Sequence, residues 1–144
     1  MRTRLPVISP ELSARLLAAA PERKIAVAVV ACELAARAAG LDEGLAERGL
    51  AALRKGESDP ILAREFEEAS EGFDEVYFKF DEEGRRDLSL PHFDKARAAA
   101  AFGFCLLTGD DNLEEGIYEA AKSHRDGERN VVAAAFAALN AQST

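Results

Sequence analysis

Alanine makes up 29 of the 144 residues and occurs in short runs. It is the strongest helix former, because its side chain loses no conformational freedom when a helix forms. The runs lie at 18–20, 35–39, 98–101 and 133–138, so helix formation is favoured along much of the chain. We therefore predict an all-α protein, a helical bundle or short helical stack of six or seven helices.

Capping residues and apolar spacing indicate where these helices begin and end. Ser9, Asp42 and Asp59 each precede a helical pattern and can accept a hydrogen bond from its first turn. Gly40 can end a helix in the left-handed backbone conformation. The predicted helices lie at about 10–19, 22–39, 43–55, 60–72 and 91–108, with a shorter helix after 112 and a last one after 127.

The shorter helix after 112 has a regular amphipathic pattern. Its apolar positions, which we expect to face the core, are Leu113, Ile117 and Ala121. Its charged positions, which we expect to face water, are Glu114, Glu115, Glu119 and Lys122.

The segment 76–90 is compatible with two structures. Residues 76–80 alternate in the manner of a β-strand, 81–84 can form a turn, and 85–90 can return as a second strand. The rival interpretation continues the preceding helix to Phe80. A lone two-stranded ribbon is marginally stable unless it packs on helices, so a small β-hairpin near 76–90 and a longer helix both stay open.

Length and composition narrow the class of protein. A chain of 144 residues can bury one hydrophobic core, and we predict a single helical domain over 1–144. No segment provides the roughly 20 apolar residues of a membrane span, and no apolar stretch typical of a secretory signal follows the basic start of the chain. The expected location is the cytoplasm. Cys32 and Cys105 stand in apolar surroundings without ligand spacing and are interpreted as small hydrophobic residues.

The net charge of −8 comes entirely from residues 57–87. This segment holds twelve acidic and four basic residues, whereas the other 113 residues carry fourteen of each. An acidic protein repels nucleic acid and anionic membranes, so neither is an expected partner. Five of the ten aromatic residues fall in the same segment, namely Phe66, Phe73, Tyr77, Phe78 and Phe80.

Acidic side chains steer a basic partner, and aromatic side chains then supply buried anchors. We therefore predict a protein-binding module, without catalysis of its own, that captures a basic protein. Its predicted contact residues are Glu67, Glu68, Glu71, Phe73, Asp74, Glu75, Tyr77 and Phe78. In size and composition the chain is similar to small acidic bacterial immunity proteins and antitoxins, an analogy that involves no shared motif.

A first alternative is a divalent-metal-dependent hydrolase. The sequence Glu67-Glu68-Ala69-Ser70-Glu71 resembles the Glu-Glu-x-x-Glu element of all-α nucleotide pyrophosphohydrolases, although the later Glu-x-x-Asp element of that family has no match here. The resemblance implies nucleotide or phosphate substrates and Mg²⁺ or Mn²⁺ held by Glu67, Glu68, Glu71 and Asp74.

A second alternative is a structural role as a homo-oligomer. An exposed apolar patch beside the acidic residues would then form a symmetric dimer interface.

Overall fold

The computed structural model of the chain describes residues 3–141. Within this range the chain forms eight α-helices and no strand. In chain order they are α1 (Leu5–Ile8), α2 (Pro10–Ala18), α3 (Pro21–Ala39), α4 (Glu43–Arg54), α5 (Pro60–Glu82), α6 (Arg86–Cys105), α7 (Asp110–Ala121) and α8 (Gly127–Asn140). The prediction of an all-α bundle is confirmed, and the predicted count of six or seven helices is wrong.

Local capping chemistry defines several helix ends as expected. The side chain of Ser9 accepts a hydrogen bond from the Leu12 backbone N–H at the start of α2. Asp42 and Asp59 accept equivalent bonds at the starts of α4 and α5. Gly40 ends α3 with a φ of 74°, in the left-handed region that glycine adopts without steric cost.

The central helix is α3, which packs against α4, α6, α7 and α8. Buried apolar residues from all eight helices form one cluster. Many of them are alanines, and their small side chains allow the helix backbones to approach closely. Cys32 is fully buried in this cluster and Cys105 is half-buried beside it, and both are free thiols.

The two longest helices, α5 and α6, form a pair joined by a short turn around Gly84. α5 packs mainly on α6. Near the base of the pair, the buried rings of Phe66 and Phe102 stack with their centroids 4.6 Å apart. They lie against Gly49 of α4, where there is no room for a side chain. Residues 81–87, at the other end of the pair, are all exposed.

Of the two structures left open for 76–90, the β-hairpin is wrong and the continued helix is present, so the helix does not end at Gly72. Here α5 runs through to Glu82, because its residues at helical spacing pack on α6. The Tyr77 ring lies 5.3 Å from that of Phe93, and the Phe80 ring 5.8 Å from that of His92. The strand-like alternation of 76–80 coincides with one turn of this longer helical pattern.

The start of α6 also differs from the prediction. Pro91 was expected to open this helix, whereas the helix begins at Arg86 and contains Pro91 at an exposed position. Ser89, in the turn before it, is fully buried and donates its hydroxyl hydrogen bond to the carbonyl of Arg86. The segment 86–90 therefore adds a helical turn to the outer end of the α5–α6 pair.

Candidate functional site

The acidic residues of α5 form an exposed row along the helix. Glu67, Glu71, Glu75 and Glu82 are separated by four, four and seven residues, spacings that place side chains on one face of a helix. Glu68 lies at the edge of the same face, and all of these side chains are exposed. Phe78 falls within the row, and 58% of its surface is exposed. We call Glu67, Glu68, Glu71, Glu75, Phe78 and Glu82 the acidic face.

The charge of the acidic face is only partly compensated. At its inner end Arg64 lies 3.7 Å from a carboxylate oxygen of Glu67 and 3.3 Å from one of Glu68. Farther out, the carboxylates of Glu71, Glu75 and Glu82 form no ion pair or hydrogen bond with any other residue in 3–141. Uncompensated negative charge is therefore concentrated in the outer part of α5, around Phe78.

Two of the predicted aromatic contacts, Phe73 and Tyr77, lie elsewhere on α5. Both are half-buried against α6. The Phe73 ring faces His92, and the ammonium group of Lys95 lies 5.9 Å from its centroid. Tyr77 packs between Phe78 and Phe93. These two rings hold α5 and α6 together, and Phe78 is the aromatic side chain exposed within the predicted set.

Asp74 belongs to an ion-pair chain that crosses from α5 to α7. One of its carboxylate oxygens lies 2.8 Å from the guanidinium of Arg97 on α6, and the same guanidinium lies 3.1 Å from Glu119. Asp74 is thus neutralised within the protein, in contrast to Glu71 and Glu75.

A groove runs between α5 and α6 beside the acidic face. It is open to solvent and has a volume of about 360 Å³. Its floor consists of small residues, namely Ala63, Ser70, Ala100 and Gly103. Arg64, Glu67 and Glu71 line it on the α5 side, and Phe104 of α6 and Leu107 just after α6 line it on the other. The first wall is therefore net acidic, since Arg64 offsets one of its two carboxylates, and the other wall is apolar.

No group of three or more His, Cys, Asp or Glu side chains within residues 3–141 is arranged to hold a metal ion. The four carboxylates considered for a metal are divided in the structure. Glu67 and Glu68 pair with Arg64, Asp74 pairs with Arg97, and Glu71 stands alone.

The prediction that Glu114, Glu115 and Glu119 face water is wrong, because all three are almost fully buried. α7 packs on α6 along one side and on α1 and α2 along another, so its charged side is covered. The backbone N–H and the guanidinium of Arg4 both donate hydrogen bonds to Glu115, at 2.7 Å each. Arg4 also bonds Glu119 at 2.9 Å.

The remaining buried glutamate of α7, Glu114, accepts hydrogen bonds from the hydroxyl groups of Thr3 and Ser13. The hydrogen bond with Glu115 raises the pKa of Arg4, with Glu119 adding to the effect. This network fastens the N-terminal segment to α7. In the sequence, Glu114, Glu115 and Glu119 are evenly mixed with small and apolar residues, as on a helix face exposed to water. Only the distant partners Arg4 and Arg97 distinguish the network from such a face.

Among the described helices, none combines the length and the apolar character that crossing a membrane requires. Comparisons of the chain with protein-family models, with curated proteins and with solved structures each find no match.

Proposed function

We propose that this protein is a non-catalytic binding module that captures a basic protein partner through the acidic face of α5. One observation carries the proposal. Phe78 is a largely exposed aromatic side chain on the same helix face as the carboxylates of Glu71, Glu75 and Glu82, none of which is paired within residues 3–141. Exposing the apolar surface of an aromatic ring to water is unfavourable in the free protein. Covering that ring with a complementary surface removes this cost and so favours binding.

Binding proceeds in two physical steps under this proposal. The negative potential of the outer part of α5 first attracts and orients a positively charged surface, which raises the association rate. Phe78 is then buried in the partner and slows dissociation, as large aromatic anchors do in many interfaces. Phe73 and Tyr77 act indirectly, because they keep α5 straight and packed on α6.

A symmetric homodimer through the acidic face itself, as opposed to one through an apolar patch beside it, is disfavoured by charge. A two-fold interface brings the same patch of both subunits together. Glu71 and Glu75 of one copy would then approach those of the other, and like charges brought together oppose association.

The metal-dependent hydrolase alternative predicts that Mg²⁺ or Mn²⁺ raises the melting temperature, because an ion that binds only the folded state stabilises it. The protein-binding proposal predicts no such rise at millimolar metal. A melt of the chelated protein with and without each ion separates the two.

The principal test compares two charge variants with matched positions. Glu71→Ser combined with Glu75→Ser removes two exposed acids one turn apart on α5. Glu43→Ser combined with Glu47→Ser removes two exposed acids with the same spacing on α4 and serves as the control. Each variant has a net charge two units less negative than the original protein, so an effect of total charge alone appears equally in both.

The measurement starts with capture of interacting proteins on the immobilised protein and continues with association and dissociation rates for each purified candidate. We expect the α5 variant to associate about tenfold more slowly at low salt, with a flatter salt dependence, while the α4 variant associates normally. Phe78→Ser should mainly raise the dissociation rate, by about 30-fold for an anchor worth about 2 kcal/mol. If the two charge variants behave alike toward every captured protein, the proposal is wrong.

A further inference from the structure

The groove between α5 and α6 leads into an apolar stripe along α6. Leu90, Phe93, Arg97, Ala100 and Phe104 lie on α6 at alternating spacings of three and four, and Leu107 follows just after the helix, which ends at Cys105. None of the six is buried, and Leu90 and Leu107 at the two ends are exposed. Five of the six are apolar, and the exception, Arg97, is neutralised by Asp74 and Glu119. At 1.5 Å per residue the five residues on α6 span about 21 Å.

The floor of the groove is recessed because its residues are small. A Cβ added at Gly103 would lie 3.6 Å from the carbonyl oxygen of Ala63, which shows how closely the two backbones approach. Ala100 and Ser70 extend the same low floor. A rod-shaped apolar element can therefore lie between the carboxylates of α5 and the apolar side chains of α6.

We infer that the partner segment held by this surface is an amphipathic α-helix, lying along the groove with a row of Lys or Arg side chains against Glu71 and Glu75. The inference rests on the proposed function and specifies the partner. A span of about 21 Å matches a helix of about 14 residues. The acidic wall on one side requires the cations to lie along one flank of the apolar stripe of the partner helix, and not at random around it.

The backbone of the partner gives a second reason for a helix. The sides of α5 and α6 present no free backbone N–H or C=O groups in the middle of the helices, since these groups bond within each helix. An extended segment in the groove would bury its own N–H and C=O groups without partners, which is costly. An α-helix satisfies them internally.

The test uses designed peptides of about 18 residues, labelled for fluorescence anisotropy. The first has a Leu and Ala stripe flanked on one side by Lys. The second has the same charge but carries two central prolines, which prevent a continuous helix. The third replaces every Lys by Glu. We expect the first peptide to bind the protein at least about tenfold more tightly than the second, and the third not to bind.

Two variants of the protein examine the groove without altering the acidic face. Ala100→Phe fills the floor, and Leu107→Glu places a carboxylate on the apolar wall at a position that is 37% exposed. Either variant should reduce the affinity for the first peptide to that of the proline peptide. Far-ultraviolet circular dichroism and a thermal melt verify that each variant is folded.

The outcomes separate this inference from the proposed function. Equal affinity for the helical and proline peptides, with binding still dependent on Glu71 and Glu75, would overturn the helix inference and leave the proposed function in place. Tight binding of the helical peptide that survives both Ala100→Phe and Leu107→Glu would overturn the groove as its location. Binding that is also insensitive to Glu71→Ser with Glu75→Ser would count against both proposals.

Discussion

Replacing Arg97 best tests the ion pairs that link α5, α6 and α7 beneath the proposed binding surface. Its guanidinium lies between Asp74 on α5 and Glu119 on α7, at 2.8 Å and 3.1 Å. The side chains are mostly removed from water, with 20% of Arg97, 30% of Asp74 and 5% of Glu119 exposed. Arg97→Met keeps the apolar stem of the side chain and removes its charge.

The expected destabilisation is about 2 kcal/mol. Removing one partner from a buried ion pair typically costs about 3–5 kcal/mol, because the other charge is left uncompensated. The loss is smaller here for three reasons. Glu119 retains a hydrogen bond of 2.9 Å from Arg4, and Asp74 is close enough to solvent to be partly hydrated. In addition, Nε of Arg97 is buried without a hydrogen-bond partner within residues 3–141, and methionine removes that cost.

Urea denaturation at constant ionic strength measures the effect. With a slope of about 2 kcal/mol per molar urea, the midpoint should fall by about 1 M and the slope should stay unchanged. Arg48→Met is the matched control, since Arg48 also forms short contacts of 2.8 Å, to Glu65, but both of these side chains are largely solvated. Such exposed pairs contribute little to stability, so the control midpoint should stay close to that of the original protein.

A second substitution identifies the cause. In the Arg97→Met background, Asp74→Asn should restore part of the stability, because it removes the orphaned charge. The reasoning is refuted if Arg97→Met shifts the midpoint no more than Arg48→Met does, or if Asp74→Asn destabilises the double variant further.

Two further predictions concern stability. A Cβ at Gly49 would lie 2.6 Å from Cδ1 of Phe102 and 2.7 Å from Cζ of Phe66, so Gly49→Ala should lower the melting temperature. Gly72 of α5 has open space around it, so Gly72→Ala should raise the free energy of unfolding by up to about 1 kcal/mol. A thermal melt in which Gly49→Ala is the more stable of the two variants would contradict the packing argument. Burial raises the pKa of Asp94, so the folded protein disfavours its charged form, and Asp94→Asn should stabilise the protein near pH 7. That gain should shrink as the pH falls through the ordinary aspartate pKa of about 3.9, because well below it the aspartate is protonated in both the folded and the unfolded state; a gain that is independent of pH would contradict the assignment.

Much of the secondary structure was predictable because it depends on residues close together in the chain. Ser9, Asp42 and Asp59 cap helices through bonds to a residue three positions later, and Gly40 ends α3 through its own backbone freedom. The extension of α5 past Gly72 was harder to predict from the sequence, because the residue pattern in 76–80 fits both a strand and a helix. Contact with α6, some fifteen residues later, decides between them.

The candidate site was predictable only in part, because sequence spacing places residues on a helix but does not say which face is covered. Glu71, Glu75 and Phe78 were expected to contribute to one surface, and the structure places them on one exposed face of α5. Phe73 and Asp74 lie within the same stretch, yet one packs on α6 and the other pairs with Arg97.

The sequence by itself determined the helical class, most capping positions and the concentration of negative charge in residues 57–87, since these depend on composition and on neighbours a few residues apart. The tertiary structure decided which carboxylates are exposed to water without a cation and which are buried in ion pairs. Glu119 and Glu71 look alike in the sequence, but one is covered by α1 and α6 and held by Arg4 and Arg97, while the other faces solvent without a cation in the described residues. Their difference arises from side chains 22 and 115 positions away from Glu119, because burial and ion pairing depend on how the helices pack and not on the order of residues along one helix.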